Sequence, residues 1–431
     1  MSTENNKSGF SREIAKFIDH LDSLNQTMPM ISLMLQATKF MSEKKAKEYL
    51  QENTFTSKDE EGEEQTTINQ RAIPKFIELS RDASNSKLAY NLIQRNFIVA
   101  LISQFDAFIG SLIRKMFLIK PEMISSSEKS LTFSRLSEFD SIENAKEYII
   151  EKEIETVLRD SHSNQFKWLE NKLGVPLTKD LKCWQQFIEV TERRNLFVHS
   201  DGIVSNQYIT VCNKANIILN DDIIVGKKLE VDSDYLKITY RVLYELGVKL
   251  SQVMWRKLLP QSLIEADSDL SGIIYRLLRR KKHHIAIQLS DFATDTLKKH
   301  GSHESKLIFL VNKAQAYKWN GQVDISQRIM KNLDWSAMSD KFKLSQAVIL
   351  DDYTSAYKFM NKIGKHDEDV SAESYKEWPL FQKIRKENRF LEIYKSLFDE
   401  DYEYMEYDEF DLFKARVEET EESEDIANQH R

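Results

Sequence analysis

Eleven glycines and six prolines in 431 residues are too few to punctuate a protein built from strands and tight turns. With Leu, Lys, Glu, Ile, Gln and Ala plentiful, that scarcity predicts an all-α fold. The two cysteines, Cys183 and Cys212, allow neither a disulfide framework nor a zinc-ligand pattern, so a reducing compartment, the cytoplasm, is expected. Excess positive charge is also missing. A net charge of −7 excludes a chain coated with basic residues for nucleic acid, though not a local basic cleft. No apolar run is long and uninterrupted enough for a bilayer. The most apolar stretch, 88–121, is broken by Asn91, Gln94, Arg95, Asn96, Gln104, Asp106, Arg114 and Lys115, which predicts a buried helix and no membrane partner. The first six residues lack a basic flank and an apolar signal core. No Gly-rich phosphate loop occurs, which argues against an NTPase.

What is present is helical periodicity, broken at a few places. Residues 1–84 read as an N-terminal helical region carrying a polar, acidic segment, 51–70, expected to be a mobile loop. Residues 85–260 read as a helical domain: a long helix from 86 to 119 stopped by Pro121, shorter helices to Gly174, a helix over 178–199, a short one near 203–211, and a last one from Tyr235 with Asp232 as N-cap, closed by Pro260. Ile223-Ile224-Val225 before Gly226 suggests a brief extended excursion. From 265 to 398 the pattern repeats. Ala314, Tyr317, Gly321, Ser326, Met330 and Leu333 resemble, in order and size, a tetratricopeptide repeat, and looser copies flank it, so a stack of helical hairpins is expected. Residues 399–431 form an acidic tail with interleaved aromatics, read as solvated or as a segment that docks on a basic groove.

Chemistry concentrates in Arg194-Asn195-Leu196-Phe197-Val198-His199, followed by the helix-ending Ser200-Asp201-Gly202. Arginine offers two donors to phosphate oxygens, and histidine moves protons near neutral pH without a metal. The bare spacing is cheap, arising about 0.4 times by chance in a chain of this length. A second copy, Arg279 to His284, lies in a run of cations expected to be a solvated turn. The first copy differs in setting. Leu181, Trp184, Phe187, Ile188 and Val198 form an apolar face, and Glu192, Asn195 and His199 share one edge of it. Arg193 is placed to pair with Glu189, whereas Arg194 has no charged neighbour three or four residues away. His300-Gly301-Ser302-His303 has metal-like spacing but no supporting ligands and reads as a turn.

Arg194-Asn195-x3-His199 at a helix end in an all-helical unit resembles the HEPN superfamily, whose ribonuclease members carry Arg-x4–6-His. The likeness covers roughly 85–260 and departs from toxin-type members at Asp201, where those carry tyrosine. It implies a HEPN-like helical bundle ahead of the tetratricopeptide-like stack, with RNA as substrate. It also implies metal-independent cleavage to a 2′,3′-cyclic phosphate and a 5′-OH, with no cofactor. Arg194, His199 and Asn195 are then the catalytic candidates, and Glu192, Asp106 and Arg193 the supporting ones. Asp106, in Gln104-Phe105-Asp106-Ala107-Phe108, matches the acidic residue common on a preceding long helix of the group. One motif per chain implies a homodimer that brings two motifs to one cleft. A regulated toxin or anti-phage effector follows, with a protein or phage trigger on the repeats. The alternative is a non-catalytic dimeric scaffold in which the helix-end histidine merely caps carbonyls.

Overall fold

The computed structural model describes residues 9–58, 64–124, 131–179, 181–367 and 369–403. The acidic tip of the 51–70 segment and nearly all of the acidic tail lie outside them. The fold is all-α, with one two-stranded hairpin among the described residues. The chain divides into two compact units, Met1–Pro260 and Gln261–Arg431, so Pro260 does close a unit as its ring chemistry suggests.

Two long helices dominate the first unit: α1 (Gly9–Glu52) and α2 (Ile73–Ile119). α2 begins thirteen residues before the expected start, so the division at 84/85 falls inside a helix and 1–84 is no separate domain. The polar stretch 80–87 contains no helix breaker and simply forms the exposed part of α2. The helices are joined by β1 (Thr54–Lys58) and β2 (Glu64–Ile68), paired antiparallel from Thr54↔Ile68 to Lys58↔Glu64. The expected mobile loop is therefore largely a hairpin. Its Thr-Phe-Thr and Thr-Thr-Ile runs favour extended backbone despite the surrounding charge.

Behind α2 lie α3 (Phe133–Leu136), α4 (Ile142–Leu158), α5 (His162–Leu173), α6 (Trp184–His199), α7 (Asn206–Lys214) and α8 (Ser233–Leu258). α6 starts at Trp184, six residues later than expected, and α7 begins at Asn206, after Ile203 has made a lone bridge to Lys228. Ile223, Ile224 and Val225 are not in a strand; a turn through Val225 and Gly226, the latter at φ 87°, is closed by the Lys227 amide on Ile224 O at 3.1 Å. Asp232 caps α8 as expected, accepting from the Tyr235 amide at 2.7 Å. α2 is long and apolar enough to cross a membrane, but half of that window is buried inside the protein, against α1, α4, α6 and α8.

An aromatic ladder ties these helices together. Phe17 of α1 stacks on Phe108 of α2 at 4.2 Å, and Phe105 then meets Phe187 of α6 at 5.0 Å. α8 closes on α1 where Gly247 meets Phe17.

The second unit is a row of helical hairpins: α9 (Leu263–Arg279) with α10 (His283–Asp291), α11 (His303–Trp319) with α12 (Val323–Lys331), and α13 (Asp340–Ile349) with α14 (Tyr353–Ile363). The first helices of the three hairpins pack in sequence, α9 on α11 and α11 on α13. Each hairpin turns through one left-handed residue, Lys281, Gly321 or Asp351. The same bond closes each turn: Lys282 N to Leu277 O, Gln322 N to Tyr317 O, and Asp352 N to Ala347 O, all 2.8–2.9 Å. Gly321 thus has structural counterparts that are not glycine. α15 (Ala372–Glu377) and α16 (Asn388–Phe398) complete the unit.

A Cβ added at Gly247 would lie 2.3 Å from Phe17 Cε1, and Phe17 is itself fixed by its stack on Phe108. Gly247→Ala is expected to destabilise the chain by about 2 kcal/mol through this overlap, despite alanine's better helix propensity. Urea unfolding of the full chain checks it, and unchanged or raised stability would refute the close approach.

Candidate functional site

α6 carries its charged residues in two directions. Arg193 turns to Glu189, with Nε to Oε1 at 2.7 Å, the expected pair one turn apart. Glu189 also accepts from the hydroxyls of Tyr208 (2.7 Å) and Tyr235 (2.6 Å), while the Arg193 guanidinium lies 4.1 Å from the Tyr235 ring centre. Burial and the Glu189 charge together push both tyrosines up, so they remain protonated donors. Arg193 therefore braces the helix and is committed there.

Arg194 points the other way and meets a partner from distant sequence. Its Nη2 donates to Asp106 Oδ2 of α2 at 3.0 Å. The other oxygen of Asp106 lies 2.7 Å from His162 Nε2, at the start of α5. Arg194 has no charged neighbour three or four residues away in its own helix, as read, but it does have a partner, since periodicity within one helix cannot reveal a carboxylate 88 residues away. Asp106 sits beside Arg194, and the histidine it holds is His162 and not His199. Asn195 hydrogen-bonds Glu192, which lies within electrostatic reach of His162 and Arg194. Burial pushes the Glu192 carboxyl up, and Asn195, His162 and Arg194 offset this only in part. Asp106, His162, Glu192, Arg194 and Asn195 thus form one cluster where α2, α5 and α6 converge.

His199 takes no part in it. It is exposed in the last turn of α6, as is Val198 at 49%, so the apolar face ends before them. The helix end is nevertheless firmly held. Arg95 of α2, with a side chain only 7% exposed, donates to the Asp201 carbonyl at 3.0 Å and to Asp201 Oδ1 at 2.8 Å. Lys228 and Arg95 hold the Asp201 carboxyl below its ordinary value. Asp201 is left-handed at φ 48°, and Gly202 follows at φ 80°, giving the abrupt stop expected of Asp-Gly. This lets the chain turn so that the Val204 amide bonds Lys227 O at 2.9 Å.

His162 is the residue that sequence reasoning missed. Its signal lay in spacing, because His162, Phe166, Leu169 and Leu173 form one buried stripe of α5. A histidine inside an apolar stripe requires a polar partner. The ring meets Phe187 edge-on at 5.3 Å, which leaves Nε2 directed at Asp106. The second motif, Arg279 to His284, lies in the other unit and lines no comparable cluster: Arg279 pairs with Glu377 at 3.3 Å. His300 bonds Asp267 at 3.2 Å in a turn where the Gly301 amide also binds Asp267.

Comparison with protein families, curated protein sequences and solved structures finds no match to this chain.

The raised Glu192 carboxyl has a pH signature. A group that binds its proton more tightly folded than unfolded favours folding below the ordinary carboxylate range. That contribution is lost as pH rises through the raised folded value. Glu192→Gln, uncharged throughout, is expected to raise Tm relative to wild type more at pH 7 than at pH 4. Calorimetry at both values checks this, and an equal or reversed difference would show that Glu192 is not destabilised by burial.

Proposed function

We propose that the first unit is half of a metal-independent endoribonuclease, a HEPN-like bundle built on Arg194 and His199 and completed by a second copy of the chain. The observation that carries this reading is the state of Arg194. Asp106 anchors its Nη2, and the side chain keeps 21% of its surface exposed, so the guanidinium is oriented yet still reachable. An arginine held in that way presents remaining donors to a phosphate without first having to be ordered. RNA supplies its own nucleophile in the 2′-OH, so the protein must move a proton and stabilise charge on phosphorus. His199 is the exposed proton carrier and Arg194 the phosphate ligand. Glu192 and Asn195 border the arginine, and Asp106 with His162 positions it. The two motif residues leave α6 about 140° apart by helical geometry. A facing copy would therefore supply the His199 that stands opposite each Arg194. A regulated toxin or anti-phage effector acting on RNA in the cytoplasm, restrained or triggered through tetratricopeptide-like hairpins, is the biological setting this proposal carries.

A second reading rests on the same contact. The ion pair between Arg194 and Asp106, extended to His162, ties three helices together and would equally serve a dimeric scaffold without activity. The two readings separate at His199, which is exposed and makes no hydrogen bond or ion pair among the described residues. Wild type, Arg194→Ala and His199→Ala, each incubated with RNA in EDTA, are expected to show cleavage that both substitutions reduce by roughly 10²- to 10⁴-fold. His199→Ala should leave Tm unchanged, whereas Arg194→Ala should lower it. Equal cleavage by all three, or none by any of them together with no toxicity on expression, would leave the scaffold.

A further inference from the structure

α1 changes character partway along its length. Up to Met28 its apolar residues face the core, and Phe10, Ile14, Phe17, Leu21 and Met28 are all buried. Beyond Pro29 the side turned to α2 is marked by Ser32 and Ser42, which bond Gln94 and Ser86, and by the buried Ala46. The large apolar residues sit instead on the opposite side. Met30, Leu33, Met34, Phe40 and Met41 are each 58–67% exposed. Ala37, at their centre, lies about 180° around the helix from Ala46.

Charge is missing from this face as well. Between Asp22 and Glu43 the only charged residue is Lys39, and its ammonium lies over the Tyr90 ring of α2 at 5.6 Å. A membrane-binding helix carries lysine and arginine along its polar face. The stripe itself has no free cation to offer an anionic lipid or an acidic partner.

Spacing then selects the partner. Leu33 and Met34 stand four and three residues before Ala37, and Phe40 and Met41 stand three and four after it. The stripe therefore has the same spacing in both directions, as an isologous contact between antiparallel helices requires. Its small residue falls at the centre, where two helices crossing on a two-fold axis come nearest. On a face meant to enter lipid or fill a groove, an alanine there would be a gap. Area agrees. Side chains of this size and exposure offer on the order of 100 Å² of apolar surface each, so the five give roughly 500 Å². At the roughly 60% apolar share of protein interfaces, that corresponds to about 800 Å² per partner, the size of a standard stable interface.

We propose that the outer face of α1, from Met30 to Met41, is an interface with a second copy of this chain. The two α1 helices run antiparallel with Ala37 on the two-fold axis, Leu33 packing on the partner's Met41 and Met34 on the partner's Phe40. The face points away from α2, on which α6 packs, so this contact is separate from the pairing of motifs proposed above and stands whether or not the first unit cleaves RNA.

Light scattering of the full chain at micromolar concentration is expected to give an assembly whose mass is halved by Leu33→Glu combined with Phe40→Glu. Circular dichroism should be unchanged, because both side chains are exposed. Ala37→Cys tests the geometry, since a short bismaleimide is expected to join two copies through it. Glu48→Cys, on the same face but about 30 Å from its counterpart in an antiparallel pair, should not be joined. The native Cys183 and Cys212 are buried and do not compete. The paired glutamates should remove the Ala37→Cys cross-link, and His199→Ala should leave it intact. A monomeric wild type, a mass that the paired substitution does not change, or cross-linking at position 48 as strong as at 37 would overturn the proposal. A monomer that binds neutral lipid vesicles through this face would also overturn it and assign the face to a membrane.

Discussion

The Asp106 carboxylate is the point on which the first unit turns. Its two oxygens take Arg194 from α6 and His162 from α5, so one side chain on α2 fixes two other helices against it. The group is partly buried, and neither hydrogen bond would survive the loss of the carboxylate. An arginine and a histidine left facing an apolar niche would be far costlier than the same residues in water. Phe105, the neighbouring residue on α2, packs on Phe187 of α6, so apolar and polar contacts reinforce one interface. Three turns away along α2, Arg95 holds Asp201 at the end of α6. α2 therefore grips α6 twice, near its middle and at its tip, and the motif lies between the grips.

How much of this was legible in the sequence depends on how far each interaction reaches. Short-range features read directly: the Asp232 cap, the Arg193–Glu189 pair, the Asp-Gly stop after His199 and the turn at Asn320-Gly321 are set by neighbours within a few residues. The hairpin at 54–68 was hidden because its extended-favouring residues are split by the acidic run between them, which dominates the composition at the centre of the segment. The start of α2 was hidden because a polar exposed stretch of helix has no apolar stripe to mark it. The cluster at Arg194 could be read only in half. Asp106, Glu192 and Asn195 were nameable as candidates, but their convergence with His162 depends on the packing of three helices, which no local pattern encodes.

The hairpin turns of the second unit make the same point differently. A left-handed residue other than glycine costs roughly 1–2 kcal/mol, yet Lys281 and Asp351 occupy that position while Gly321 alone fits the local rule. Asp351 has compensation from tertiary structure. Lys318 of the preceding hairpin reaches it at 2.9 Å and also binds the carbonyls of Val348 and Ile349 at the end of α13. Glycine would turn the chain more cheaply but would lose that link between successive hairpins.

The bridge from Arg279 to Glu377 has a further consequence. An open array of helical hairpins can grow or shrink by whole repeats, because each unit touches only its neighbours. Here the first helix of the row also touches the segment that follows the last hairpin. Inserting or deleting one hairpin would move those ends apart and break the contact. A change in the number of hairpins would therefore cost this chain a contact that an open array does not have.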